Sequence, residues 1–271
     1  MISPLGHVRA LLRLIVLAAS LLVLVVSWII PLLVRAVSER AASHLRVRIM
    51  GWWARFALLV MGVKVRSEGA PPRVPFFLVS NHLTYLDIFV LWSRIDSYFL
   101  AKSELGSWPL FGPLIRAAGT LFINRSRRSD VIPAIEKVKS RLALGNGVVF
   151  FPEGTSSSGG KLLNFKSSLF EVALQTGLPV HVACLHYDTH SEKHPTELRV
   201  CWWGDMGFAG HFYYLLTMPG VRVRVRFATE PVKAENRKEL AQAARVRMEE
   251  LFEPMHTWTR VNPSEDSGIP T

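Results

Sequence analysis

From Leu14 to Val34 the chain runs without a charged residue. About 20 apolar residues at about 1.5 Å each cross the roughly 30 Å hydrocarbon core of a bilayer, so this stretch predicts a membrane helix. A cleaved signal peptide is the other reading of the pattern, weakened by the length of the run and by the poor cleavage site at Ala36-Val37-Ser38. Between Ala41 and Met61, Leu45, Ile49, Trp52, Phe56 and Leu59 recur at helical spacing, with Arg46, Arg48 and Arg55 among them. Two structures satisfy that spacing. One is an interfacial helix with Trp52 and Trp53 at headgroup level, pairing with the first helix as a hairpin; the other is a helix packed on the domain that follows.

Glu68 to Pro75, with Pro71-Pro72, reads as a polar linker. After it, short apolar runs alternate with helical patterns. Phe76–Val79, Ser97–Ala101, Thr120–Ile123, Val148–Phe151 and Val180–Leu185 predict strands, and Leu198–Trp203 is a further strand that can pair with the last. Val221–Phe227 alternates strictly and puts Arg222, Arg224 and Arg226 on one face, as an antiparallel or edge strand with a wet side would. That basic face suits either anionic lipid or solvated protection of an edge. Helices are predicted from Ser129 to about Leu144, from Phe165 to Thr176 and from Glu235 to Phe252, with a Pro- and Gly-interrupted stretch over Leu105–Ala118. The alternation predicts an α/β fold: a mixed β-sheet flanked by helices, with an N-terminal membrane-associated helical hairpin. Residues 1–66 are expected to form the membrane-anchoring helices, 67–255 the α/β domain and 256–271 a disordered tail.

Composition sharpens the choice of partner. Apolar residues make up 49% of the 271, and 32 basic against 21 acidic residues give a formal charge of +11. Such a surplus implies an anionic partner, and the apolar N-terminus selects a lipid surface over nucleic acid, for which no basic motif with aromatic platforms is present. Arg9 and Arg13 precede the uncharged run while Arg35, Arg40, Arg46 and Arg48 follow it, so loop charge does not orient it. The only cysteines, Cys184 and Cys201, lie in apolar, strand-like contexts, which argues against a disulfide framework and for a reducing compartment.

The polar groups that end strands are the candidate chemistry. Asn81-His82 follows the run Phe76–Val79, and Asp87 comes five residues after the histidine. That spacing does not stack two side chains on one helix face. With His82 on a turn and Asp87 opening a helix the two can converge, as an oriented base for an alcohol or merely as a capped turn. Asn124-Arg125 ends Thr120–Ile123, where an arginine fork suits phosphate; with Arg127 and Arg128 it also reads as a surface charge run. Phe151-Pro152-Glu153-Gly154-Thr155-Ser156 sets a carboxylate just past a buried strand, followed by a glycine that permits close approach and by hydroxyls. His186, Asp188, His190, Glu192 and His194 alternate, but their polar neighbours favour a solvated loop over a metal site. Gly160 occupies the lysine position of a P-loop, and neither G-x-S-x-G nor H-E-x-x-H occurs, so nucleotide hydrolysis, serine-hydrolase and zinc-protease chemistry have no support.

Asn81-His82 and Asp87 match N-H-x-x-x-x-D, and Ala101-Lys102-Ser103-Glu104-Leu105 follows. Gly119 to Arg125 is similar to a second motif, Phe151 to Ser157 to a third, F-P-E-G-T-x-S, and Val180 after Pro179 begins a fourth. In this order, over roughly Val74 to Tyr187, the chain resembles the glycerolipid acyltransferase family that includes 1-acylglycerol-3-phosphate acyltransferases. The resemblance implies a membrane-bound enzyme that transfers a fatty acyl group to the free hydroxyl of lysophosphatidic acid, giving phosphatidic acid. The donor substrate would be acyl-CoA or acyl-carrier protein, with no cofactor, no metal and no covalent acyl-enzyme. It further implies His82 as general base and Asp87 as the group that holds its tautomer. Asn81, Lys102, Arg125, Glu153, Gly154 and Thr155 would bind the acceptor, with Glu153 and Arg125 at its polar head and amides near Gly154 facing the oxyanion. The second motif usually has an acidic residue before its arginine, and here Asn124 stands there. That keeps another lysolipid acceptor, such as a lyso-ornithine lipid, as the alternative. A non-catalytic membrane-binding protein is the alternative of another class. The expected location is a bacterial inner membrane, with the catalytic domain facing the cytoplasm.

Overall fold

A computed structural model describes residues 2–107, 111–123, 131–189, 191 and 193–255. Asn124, Arg125, Arg127, Arg128, the expected cap Ser129, His190, Glu192 and the tail from 256 lie outside the described residues. The helices are α1 (Pro4–Ser27), α2 (Ile29–Arg35), α3 (Glu39–Met61), α4 (Leu86–Trp92), α5 (Phe111–Ala117), α6 (Val131–Ala143), α7 (Glu171–Thr176), α8 (Thr196–Arg199), α9 (Phe208–Thr217) and α10 (Arg237–Glu249). The strands are β1 (Val63–Glu68), β2 (Phe76–Ser80), β3 (Ser97–Lys102), β4 (Leu121–Ile123), β5 (Gly147–Phe150), β6 (Val180–Asp188) and β7 (Val221–Phe227).

Ser3 accepts from the Gly6 amide and Pro4 takes the first helical position, so α1 begins well before the uncharged run. Its arginines turn back onto the domain. Arg9 donates to the Thr217 carbonyl at 2.8 Å, and Arg13 to those of Leu216 and Met218 at 2.9 and 2.7 Å, satisfying carbonyls at the C-terminal end of α9 that the helix itself leaves open. Among the described residues one helical segment, Pro4–Arg35, is long and apolar enough to cross a membrane, and it is mostly unburied. A turn at Ala36–Ser38 leads into α3, which packs back against α1 and α2 as the second arm of a helical hairpin.

The second of the two readings of Ala41–Met61 describes most of α3: it is bolted to the domain along its length. Ser43 bonds the Tyr98 hydroxyl at 2.8 Å, His44 the Leu144 carbonyl at 2.9 Å, and Arg55 the Ser93 carbonyl at 3.1 Å. Trp53 faces α1 and donates to Ser20, while Trp52, Phe56 and Leu59 remain exposed.

The sheet has the order β1-β7-β6-β2-β5-β3-β4, parallel throughout except for the antiparallel pair β6 and β7. Both faces are covered, which is why its central strands read as unbroken apolar runs. Phe76 and Leu78 pack with α3, α4 and α9, whereas Phe77 and Val79 pack with α6, α7 and α10. Parallel strands leave the sheet at one edge, so β2, β3, β4 and β5 deliver their trailing residues to a common rim. A crevice at that rim is where open α/β sheets hold ligands.

Several expectations need correction. β1 is the edge strand, so the sheet takes in Val63–Arg66, assigned above to the N-terminal segment, and Glu68 ends a strand instead of opening a linker. β7 is therefore internal. It pairs antiparallel with β6, as one of the two expectations had it, and its basic face is partly wet: Arg222 is exposed, while Arg226 bonds Glu68 at 3.0 Å and Glu253 at 2.5 Å, and Arg224 also bonds Glu253. Leu198–Trp203 is not a strand; α8 and a following loop occupy it, with Val200 and Cys201 buried. The helix α9 had no counterpart in the sequence reading.

Candidate active site

β2 ends at Ser80, opposite Ala183 of β6, and the chain turns there. β6 runs on to Asp188, and this overhang anchors the turn. Asn81 is fully buried and mimics the next rung of the ladder: its Nδ2 donates to the Leu185 carbonyl at 2.9 Å and its Oδ1 accepts the Leu185 amide at 2.7 Å. His82 follows on the turn, with Asp87 in the first turn of α4.

The two side chains converge. Nδ1 of His82 lies 2.8 Å from Oδ2 of Asp87, and the same oxygen accepts the amides of Leu83 and Thr84 at 2.7 and 3.1 Å. A carboxylate oxygen can only accept here, so Nδ1 carries the proton and the lone pair sits on Nε2. Nothing among the described residues is bonded to Nε2. The ring stacks on Phe151 with centroids 4.1 Å apart and planes at 13°, which fixes its tilt. His82 is partly open, its side chain 21% exposed, whereas Asp87 is fully buried. Asp87 Oδ1 accepts from the Tyr187 hydroxyl at 2.8 Å. Such an imidazole can take a proton from an alcohol brought against its outer nitrogen.

The loop after β5 supports the turn from the other side. Glu153 is 4% exposed; its Oε1 accepts the His82 amide at 2.9 Å and its Oε2 the Leu163 amide at 2.8 Å. Burial pushes its pKa up, opposed by those two amides and by the His82 imidazole. Gly154 sits at φ +79, a left-handed conformation that glycine adopts without strain, and its amide donates to the Phe151 carbonyl at 3.1 Å. Ser157 donates its amide to the His82 carbonyl at 3.0 Å, so the turn and the loop are laced together. The segment after α8 closes the arrangement: Trp202 donates its amide to the Leu83 carbonyl at 2.8 Å, and Ser156 bonds the Trp202 carbonyl.

The family model for acyltransferases matches residues 62–185. A lyso-ornithine lipid O-acyltransferase of Rhizobium meliloti is 35% identical over 214 residues, covering 74% of this chain and 73% of that protein. The chain belongs to the acyltransferase family. A 1-acyl-sn-glycerol-3-phosphate acyltransferase of Neisseria meningitidis is 33% identical over 180 residues, covering 66% of this acyltransferase and 69% of its own length. The crystal structure of the 1-acyl-sn-glycerophosphate (LPA) acyltransferase PlsC from Thermotoga maritima superposes with a TM-score of 0.62 at 25% identity, over 91% of this chain and 97% of that one. The α/β fold with its N-terminal apolar helix is thus PlsC-like.

In this acyltransferase the residues assigned above to the acceptor divide by burial. Asn81, Glu153 and Gly154 are buried, and the side chains of Asn81 and Glu153 hydrogen-bond the backbone of Leu185, His82 and Leu163, which braces the turn. Lys102, at the end of β3, and Thr155 are exposed at the rim. Arg125 lies outside the described residues, although β4 ends at this same edge at Ile123. No group of His, Cys, Asp and Glu suited to a metal occurs among the described residues. Tyr187 and the stacking role of Phe151 escaped the sequence reading. For Tyr187 the available signal was its place two residues beyond Leu185, on the same side of β6.

Proposed function

We propose that this acyltransferase moves a fatty acyl group from an acyl thioester to the free hydroxyl of lysophosphatidic acid, giving phosphatidic acid. The observation that carries the reading is the His82–Asp87 pair: a 2.8 Å contact that sets the tautomer and leaves Nε2 free on a partly open ring. The acceptor hydroxyl gives its proton to Nε2 as its oxygen bonds to the thioester carbonyl carbon. The tetrahedral intermediate then collapses, the C–S bond breaks, and the departing thiolate takes the proton back from the imidazolium. Asp87 supports the charge that His82 carries between the two transfers. The balance is one ester and one thiol from one thioester and one alcohol, so the donor, acyl-CoA or acyl-carrier protein, is a substrate and no resident cofactor is required. Asn81, Lys102, Arg125, Glu153, Gly154 and Thr155 are the residues assigned to the acceptor, with Glu153 and Arg125 at its polar head; of these Lys102 and Thr155 are exposed at the rim.

One observation favours a second acceptor. Asn124 replaces the acidic residue usual before the motif arginine, and several relatives at 31 to 35% identity are named lyso-ornithine lipid O-acyltransferases. The deciding experiment supplies labelled acyl-CoA or acyl-carrier protein to a panel of lysolipids in detergent, with His82→Ala in parallel. Labelled phosphatidic acid that vanishes in the variant is the expected result. Transfer only to lyso-ornithine lipid assigns the second acceptor, and transfer to nothing overturns both.

The same proposal includes a membrane. Leu11, Leu12, Ile15, Leu22, Val23 and Val26 of α1 are each more than half exposed, and Trp52 and Leu59 of α3 add to this apolar surface. Because α3 is fastened to the sheet domain at both ends, the hairpin lies along the domain, a geometry that favours burial in one leaflet over a crossing. Its arginines suit the anionic, cytoplasmic face of a bacterial inner membrane. Retention on vesicles through a high-salt wash, with release by detergent, is expected; complete release by salt would exclude embedding.

A further inference from the structure

We infer that Tyr187 is a positioning residue for acyl transfer: its phenol holds the second oxygen of Asp87 and so fixes the carboxylate that steers His82. This rests on the reading of His82 as the base. Oδ2 of Asp87 is already shared by His82, Leu83 and Thr84, while Oδ1 has the Tyr187 hydroxyl, at 2.8 Å, as its hydrogen-bond partner among the described residues. The terminal torsion of an aspartate is soft, so a carboxylate tied through one oxygen can swing about it. Tyr187 removes that freedom. It is itself immobilised, 1% exposed on the overhang of β6, two residues past the Leu185 rung that Asn81 completes. At that depth it cannot touch an acceptor entering at the exposed face of His82. Tyr187 also lies outside the quoted N-H-x-x-x-x-D and F-P-E-G-T elements.

The hydroxyl draws on the charge of Asp87. His82 and Glu153 face the pair from the turns after β2 and β5, Tyr85 from the start of α4, and Cys201 from the segment after α8, with Glu197 of α8 beyond it. Burial and then the neighbouring Asp87 hold the Tyr187 phenol well above its ordinary pKa, so it stays a donor throughout the working range. Without that donor, more of the carboxylate charge acts on His82.

The test uses the full-length enzyme in detergent, with acyl-CoA and whichever lysolipid the wild type accepts. Tyr187→Phe is expected to lower kcat about tenfold, part of the roughly 100 to 10,000-fold that a positioned base supplies, with acceptor KM unchanged. The acid limb of its kcat/KM profile is expected to move to higher pH. Combined with Asp87→Asn it should cost nothing further, because Tyr187 acts through Asp87. Should the phenylalanine variant fail to fold, a fluorotyrosine at 187, a stronger donor of nearly the same shape, is expected to move the acid limb the opposite way. A folded Tyr187→Phe enzyme with kcat and acid limb unchanged, losses that multiply in the double variant, or a fluorotyrosine enzyme with an unmoved limb would each overturn the inference. His82→Ala, run alongside, separates the two claims: if it retains turnover the base assignment falls and takes Tyr187 with it. If it is inactive while Tyr187→Phe is unaltered, only Tyr187 falls.

Discussion

The side chain of Asn81 pairs with the backbone of Leu185 as a strand residue would, through two hydrogen bonds of 2.9 and 2.7 Å. The turn that carries His82 is thereby indexed to β6 even though β2 has already ended. Asn81→Ala leaves a buried amide and a buried carbonyl of Leu185 unpaired, at about 1–3 kcal/mol for each group. The expected outcome is a lower melting temperature together with a fall in kcat, since His82 and Asp87 lose their common reference. Thermal unfolding and acyl transfer on the same detergent preparation check it, and a variant that melts with the parent would show the rung to be dispensable.

Glu153 makes a sharper distinction. A carboxylate accepts from both backbone amides, whereas glutamine sets its NH2 against one of them, so Glu153→Gln should lose about 1–3 kcal/mol of stability. If the residue braces His82, kcat drops while acceptor KM stays constant. A rise in KM with kcat retained would return Glu153 to the head group.

Glu253 ties the C-terminal segment to β7. Burial works against its charge, but the hydrogen bond from Arg226 and the charges of Arg224 and Arg226 outweigh it, so its pKa lies below the ordinary carboxylate range. A depressed pKa means that the stabilisation is present above the unfolded value of about 4.3 and is lost as pH falls through the folded one. Glu253→Gln is therefore expected to lower the melting temperature at pH 7, and the gap to the parent should close as the pH drops below about 4. A gap that persists undiminished at pH 3 would show that the ion pair is not its origin.

Gly147 opens β5 directly beside Phe76 of β2, and a Cβ there would lie 2.1 Å from the Phe76 ring. Gly147→Ala should cost about 1–3 kcal/mol through overpacking, and Phe76→Leu in the same chain should recover part of it. Equal stability of Gly147→Ala and parent by thermal melt would mean that the ring has room to move.

The convergence of His82, Glu153, Lys102 and the end of β4 was legible, because apolar runs that end in polar residues become, in a parallel sheet, strands that end at one rim. What each residue does there was less legible. Asn81 and Glu153 have the chemistry of ligands, and only their burial reveals that their hydrogen bonds are spent on the backbone. Tyr187 meets Asp87 across 100 positions of sequence, through an overhang whose length depends on β7 pairing beyond the end of β2. α9 begins at Phe208 after an N-cap, Gly207, that has no side chain to cap it, so its aromatic run lacked a start signal. Leu198–Trp203 has strand-like apolar content, but the short helix that opens at Pro195 carries Val200 and Cys201 into the core by a different route.

The hydrogen bonds from Arg9 and Arg13 to the end of α9 bear on how this enzyme can be handled. α9 carries His211, whose ring bonds the hydroxyl of Tyr85, three residues past His82. The most apolar part of the chain is therefore no detachable tether. Trimming it to gain solubility would strip the caps from α9 and loosen the wall beside Tyr85 and the His82 turn. A water-soluble version has to be sought by repainting the outward side chains of α1, with its arginines left in place.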